Sequence, residues 1–167
     1  MAYRCQSCGQ AHEGLPLDIA FAKPGAYLAL KTRQQKAKCT LSSELCVMGK
    51  KRFFIRGCVP MPVHETGGVF VWGLWAEVSA HVFSRYQQLF DADGTEEMPS
   101  AGALSVECEP LLRGMDRLPV LIRFGTAGRR PTFLLEPSNH WLCRDQQNGI
   151  SLHRLHQMLH AMFPQHF

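Results

Sequence analysis

Two cysteines three positions apart stand near the start of the chain, in "CQSCGQAHEG", with Gly9 directly behind them and His12 close by. A C-x-x-C pair followed by glycine suits a tight knuckle in which both sulfurs hold one metal ion and backbone amides turn toward them. The other use of that spacing is thiol–disulfide exchange, which places the pair after a strand and at the start of a helix. No strand is expected before Cys5, so metal binding at Cys5 and Cys8 is the expectation. Two ligands do not close a site. Cys39 and Cys46, in "KCTLSSELCV", offer a second pair, and His12 is an alternative ligand. Four thiolates leave no coordination position open, so the expected ion is a structural zinc rather than a catalytic one.

A second group of candidates lies in "LEPSNHWLCRDQQNGIS", where His140 and Asp145 would form an acid–base pair if the fold brings them together, with Glu136 as an alternative carboxylate. No serine in a nucleophile-elbow setting and no phosphate-gripping glycine loop accompanies them. His153, His156 and His160 fall close together on a C-terminal helical pattern and read as a polar face beside its apolar stripe. Trp72, Trp75 and Trp141 are the candidate anchors for a partner protein.

These residues need elements to position them. Leu15, Leu17, Ile19 and Phe21 alternate as in a strand that Pro24 ends, and a short helix with a cationic last turn follows from Pro24 to Lys38. Leu45–Met48 and Arg52–Val59 predict a hairpin turning at Gly49 and Lys50, its second arm running to a sheet edge at Pro60 and Pro62. "GGVFVWGLWAEV" is apolar on both faces and predicts a central strand. Ser79 is positioned to cap a helix carrying Val82, Phe83, Tyr86, Leu89 and Phe90, and "DADGTEEMPSAG" reads as a polar loop. Strands are expected at Ala103–Cys108, Leu118–Phe124 and Thr132–Glu136, then a final helix capped by Ser151. The predicted fold is α+β: a mostly antiparallel sheet with about three helices, residues 1–14 forming a metal-knuckle-like segment packed on a single domain of residues 1–167. A split barrel with the helices outside it is the alternative architecture.

The bulk composition agrees with such a domain. The chain has 167 residues, 46% hydrophobic and 19% charged, which is enough apolar mass for a core. No apolar run reaches bilayer length and no signal-peptide stretch opens the sequence, so a cytoplasmic protein is expected. Seven cysteines, an odd number, fit metal use in a reducing compartment better than disulfides. The net charge of +4 is gathered around Lys31–Lys38, Lys50–Arg52 and Arg129–Arg130, too sparsely for the aromatic-interleaved stripe of a nucleic-acid binder.

Taken in order, "CQSCGQAHEGLPLD", "CTLSSELCVMGKKRFFIRGCVPMPV", "FVWGLWAEVS", "RRP…LEPSNH" and "QQNGIS" resemble a bacterial family known as domain of unknown function 2199. The resemblance runs from Cys5 to about Leu159 and includes Phe54, Arg56, Gly57, Pro131, Gly149 and Ile150. It implies a bacterial domain with a metal-knuckle-like start and carries no catalytic residue with it. The expected function is that of a metal-stabilised cytoplasmic protein that binds another protein, a toxin-neutralising (immunity-like) role being one concrete form. The alternatives are a small hydrolase or transferase using His140 and Asp145, and a zinc-knuckle nucleic-acid binder using the helix around Lys31–Lys38.

Overall fold

The computed structural model describes residues 16–107 and 114–164 in full, and residues 2–4 and 11–13 as backbone. A two-stranded antiparallel sheet, β1 (Ala2–Arg4) and β2 (Ala11–Glu13), starts the chain. The remaining strands are β3 (Asp18–Ala20), β4 (Cys39–Leu41), β5 (Leu45–Met48), β6 (Arg52–Val63), β7 (Gly68–Val78), β8 (Ser100–Leu104), β9 (Pro119–Arg123) and β10 (Thr132–Leu135). Strands β7, β8, β9, β10 and β6 lie side by side in that order, and β6 pairs with β7 again, closing a five-stranded barrel. Four of the five junctions are antiparallel; β10 meets β6 in parallel, at Thr132 and Cys58. Strand β3 adds to β7 in parallel, and β5 and β4 extend outward from β6.

The long β6–β7 hairpin is the spine. Its alternation follows the pleat: Ile55, Val59 and Met61 with Phe70, Trp72, Leu74 and Ala76 are wholly buried in the main core. The opposite face of the same hairpin holds Phe54 and Trp75. It is buried beneath β3–β5, where Cys46, Met48, Phe21, Tyr27 and Leu30 close over it. Gly49 and Lys50 turn the β5–β6 hairpin with φ of 59° and 58°, the left-handed pair that matches strand twist. Pro60 and Pro62 fall beyond Thr132, where the edge of β6 facing away from β7 has no further strand neighbour among the described residues, so their missing N–H groups interrupt no ladder.

Five helices are present among the described residues rather than about three: α1 (Gly25–Leu28), α2 (Thr32–Lys38), α3 (Ala80–Leu89), α4 (Trp141–Asn148) and α5 (Leu152–Met162). The helix expected from Pro24 to Lys38 is broken in two. The Gln35 side-chain amide donates to Tyr27 O (2.9 Å) and Leu30 O (3.1 Å), capping the end of α1 as α2 begins. The run after Glu136, for which no element is expected before the helix capped by Ser151, contains α4, with His140 as its N-cap and Gly149, where φ is 76°, as its C-cap. Ser79 and Ser151 cap α3 and α5 as expected, accepting from Val82 N (3.2 Å) and Arg154 N (3.1 Å). Strand β8 starts three residues and ends four residues earlier than expected, at Ser100–Leu104, where Leu104 and Ala103 pair with Ala76 and Glu77 at the rim of the barrel. None of the described helices is long and apolar enough to cross a membrane.

Glu77 ties the end of the β6–β7 hairpin to the approach to β9. Arg52 donates to both its oxygens at 2.8 Å and Arg117 to one at 2.5 Å. The Arg52 hydrogen bond, more than its opposing burial, holds the Glu77 carboxyl below the usual carboxylate value. A depressed folded-state pKa supplies stability that is present above the unfolded value and lost as pH falls through the folded one. Urea denaturation should therefore show a loss of about 1 kcal/mol or less from this group on acidification below about pH 4, since both arginines are largely solvated. The Glu77→Gln variant should lack that component of the pH dependence.

Candidate functional site

The barrel wall carries a cleft of about 530 Å³ lined by Glu44, Cys58, Pro60, Val71, Phe90, Gly128–Arg130 and Thr132. Its floor comes from the hairpin: Cys58 and Pro60 on β6 lie on one face, opposite Gly73 and Val71 of β7. Arg56 precedes Cys58 by two residues and so shares that face. One rim is the start of β5. Ser42 Oγ accepts from Leu45 N at 3.0 Å, and Glu44 O accepts from Arg56 N at 3.0 Å, which fixes Glu44 beside β6. The other rim is the β9–β10 turn. Gly128 N donates to Phe90 O (2.7 Å) and Arg129 N to Thr126 O (3.0 Å), pinning the turn to the end of α3.

Across the cleft Arg130 grips Glu44 in a bidentate pair, Nε to Oε2 at 2.8 Å and Nη2 to Oε1 at 2.7 Å. These hydrogen bonds push the Arg130 pKa up. Burial, followed by the nearby Arg130 charge, pushes Arg56 down; its Nη1 donates to Ser43 O at 3.3 Å. Burial pushes the Cys58 thiol up, with Arg130 opposing it only in part. Cys58 therefore remains a protonated thiol near neutral pH and is no activated nucleophile.

Tyr86, 3% exposed, lies within electrostatic reach of Glu44, Arg130 and Cys58, and burial lifts its hydroxyl to about 12. The hydroxyl is buried without a hydrogen-bond partner among the described residues, while the ring stacks 5.9 Å from Phe124. Tyr86→Phe keeps the ring and removes an unsatisfied polar group, so the variant should be about 1 kcal/mol more stable in urea denaturation.

The residues singled out from sequence are dispersed. Cys5 and Cys8 lie outside the described residues, as does the His12 side chain. A strand does precede Cys5, contrary to expectation: β1 pairs with β2, Tyr3 opposite His12. The next described element after β1 is a second strand, not the helix that a redox pair uses. Cys39 and Cys46 are free thiols on neighbouring strands, Cys39 opposite Met48 and Cys46 opposite Leu41. Cys46 is wholly buried, and burial together with the nearby Cys39 raises its thiol to about 12. Among the described residues no three histidine, cysteine or acidic side chains converge as metal ligands.

His140 and Asp145 take up other work. His140 caps α4, its Nδ1 accepting from Leu142 N at 3.2 Å. Asp145 accepts from Arg154 of α5 at 3.2 and 3.3 Å. His140 stands ahead of the helix and Asp145 within it, each committed to a different partner. The tryptophans do not form an outward patch. Trp72 and Trp75 are 0% exposed, one in each core, and Trp75 Nε1 donates to Phe21 O at 2.8 Å. Both faces of β7 are covered from Trp72 to Ala76, as the two-faced apolar pattern requires, while Val69 is exposed and Val71 opens onto the cleft. Trp141 is half-buried on α4 with the Arg154 guanidinium 5.5 Å from its ring. His156, expected on a polar face, is 0% exposed, its ring 6.1 Å from that of His160.

The cleft residues Glu44, Cys58 and Arg130 come from segments far apart in the chain, and sequence reasoning passed over them. The available signal was Arg56, a charge inside the otherwise apolar run "FFIRGCV".

Fold and site together define an α+β protein built on a closed five-stranded barrel, with an arginine-edged cleft in its wall. The chain belongs to the family described as uncharacterized protein conserved in bacteria (DUF2199), whose profile matches residues 4–150. No curated protein and no solved structure matches the chain.

Proposed function

We propose that the protein is a binding protein that takes a ligand in the β6–β10 cleft and carries out no chemistry on it. The observation that supports this reading is the state of the cleft's ionisable groups. Glu44 is committed to Arg130, the Cys58 thiol is pushed up by burial, and Tyr86 is raised to about 12. General acids and bases work with pKa values near the operating pH, and burial moves Cys58 and Tyr86 away from it. The volume, about 530 Å³, suits a small molecule. The experiment is a titration of the isotope-labelled chain with a library of small soluble fragments, read by amide NMR. Saturable shifts clustering at Cys58, Val71 and Phe90 support the reading. Their absence across the library, or turnover abolished by Cys58→Ala, sinks it.

A second reading concerns the metal. The pairing of β1 with β2 on either side of "CQSCGQ" is the arrangement a hairpin knuckle requires. On this reading Cys5 and Cys8 hold a structural zinc with Cys39 and Cys46, His12 replacing one of them in the alternative set. Because burial holds Cys46 as a thiol, loading would release protons and weaken with acid. Elemental analysis of natively purified protein should return one zinc per chain, and a chelator should lower the melting temperature. Metal-free native material refutes it. The docking role, with its toxin-neutralising form, loses Trp72 and Trp75 as anchors because both lie in the core.

A further inference from the structure

Arg130 holds a carboxylate of its own chain in the geometry that arginine uses for ligand carboxylates and phosphates. The pair sits at the mouth of the cleft, with the Arg130 side chain 38% and the Glu44 side chain 18% exposed. Beside it is further unspent cationic capacity. Arg56 has a buried Nε with no partner among the described residues, and Arg129 is exposed on the cleft rim. The carboxylates near this group are Glu44 and Asp18, whose charge reaches Cys58 from β3, so three guanidiniums face two acids. The rest of the lining joins Cys58, Gly128 and Thr132 to an apolar side made by Pro60, Val71 and Phe90.

We infer that the cleft is an oxyanion site for a small organic anion, a carboxylate or phosphate monoester on an apolar body, and that Glu44 occupies Arg130 as an internal stand-in that the ligand displaces. This deepens the binding reading and rests on it. The anionic end takes the Arg130 fork, Arg129 and Arg56 add field from the rim and floor, and the apolar body lies against Val71 and Phe90. The internal carboxylate keeps the fork satisfied when no ligand is bound and discriminates against weak anions, since each must outcompete it.

The test uses the full chain and isothermal titration with four probes: benzoate, phenyl phosphate, inorganic phosphate and neutral benzyl alcohol. Benzoate, phenyl phosphate or both should bind saturably, at least about tenfold tighter than benzyl alcohol. The tighter of the two identifies the headgroup. Inorganic phosphate should bind more weakly than phenyl phosphate, because it lacks the apolar body. Glu44→Gln, which removes the competitor, should tighten anion binding by about threefold or more, and Arg130→Met should weaken it at least about tenfold. Misfolding predicts weaker binding in both variants, so the opposite signs of Glu44→Gln and Arg130→Met separate it from the loss of a competing carboxylate. Benzyl alcohol binding as tightly as benzoate and phenyl phosphate would overturn the oxyanion assignment and leave the cleft-binding reading intact. Unchanged affinity in Glu44→Gln would overturn the displacement. Failure of all four probes, with no fragment shifting the cleft amides, would remove both.

Discussion

Replacing Trp75 with alanine should destabilise the protein by about 3–5 kcal/mol, the usual range for truncating a buried large aromatic. The ring is 0% exposed and belongs to the smaller core, with Cys46, Met48 and Phe54 and the partly buried Phe21, Tyr27 and Leu30. That core has few members, so little remains to collapse into the space the indole leaves. A second loss adds to the first, because Phe21 O would no longer accept from the indole N–H, now at 2.8 Å. Against a total of about 5–15 kcal/mol for a typical domain this is a large fraction. A chain of this size should show a melting temperature lower by about 10 °C or more. Trp75→Phe should recover most of the packing but not the hydrogen bond, and so fall between the two. A melting temperature unchanged in Trp75→Ala would mean that β3–β5 do not cover this face of the barrel in solution.

The same tryptophan shows how far sequence patterning reaches. Val69, Val71, Gly73 and Trp75 alternate with Phe70, Trp72, Leu74 and Ala76, and that period marks β7 as a central strand, covered on both sides from Trp72 to Ala76. The hairpin turn at Gly49 and Lys50 and the caps at Ser79 and Ser151 are local chemistry and were visible for that reason. A barrel was legible only as the alternative architecture, because its closure depends on a parallel contact of one registered pair, Thr132 with Cys58, seventy-four positions apart in the chain. Helix α4 was hidden by its polarity: among its eight residues only Leu142 and Cys143 are buried, too few for an apolar stripe. The cleft escaped for a related reason. Motif spacing singles out candidates close in sequence, such as Cys5 and Cys8, whereas Glu44 and Arg130 meet only because β5 and β10 flank the same strand. The same limit applies to Trp72 and Trp75, whose type suggests docking while their position in β7 decides that they are core.

Gly57→Ala should be nearly as damaging, by about 3 kcal/mol, the upper part of the usual range for overpacking. Gly57 sits on β6 between the inward residues Ile55 and Val59, where a side chain would enter the barrel. The Phe133 ring of β10 already occupies that place: a Cβ on Gly57 would fall well inside contact distance of the ring edge. Phe133 is 0% exposed, so the ring has no solvent to swing into, and either its rotamer or the β6–β10 spacing must give. Glycine is required here by space rather than by backbone freedom, since Gly57 is not among the residues with positive φ. This reasoning makes the effect of the substitution conditional on its neighbour. Phe133→Leu alone should be destabilising through the cavity it leaves, but in the Gly57→Ala background the smaller side chain makes room for the methyl. The double variant should therefore be more stable than the sum of the two single losses by about 1–2 kcal/mol, measured as a coupling energy in a double-mutant cycle by urea denaturation. Additive losses would mean that Gly57 and Phe133 do not share that space, and the barrel interior would then have to be packed differently on the β10 side.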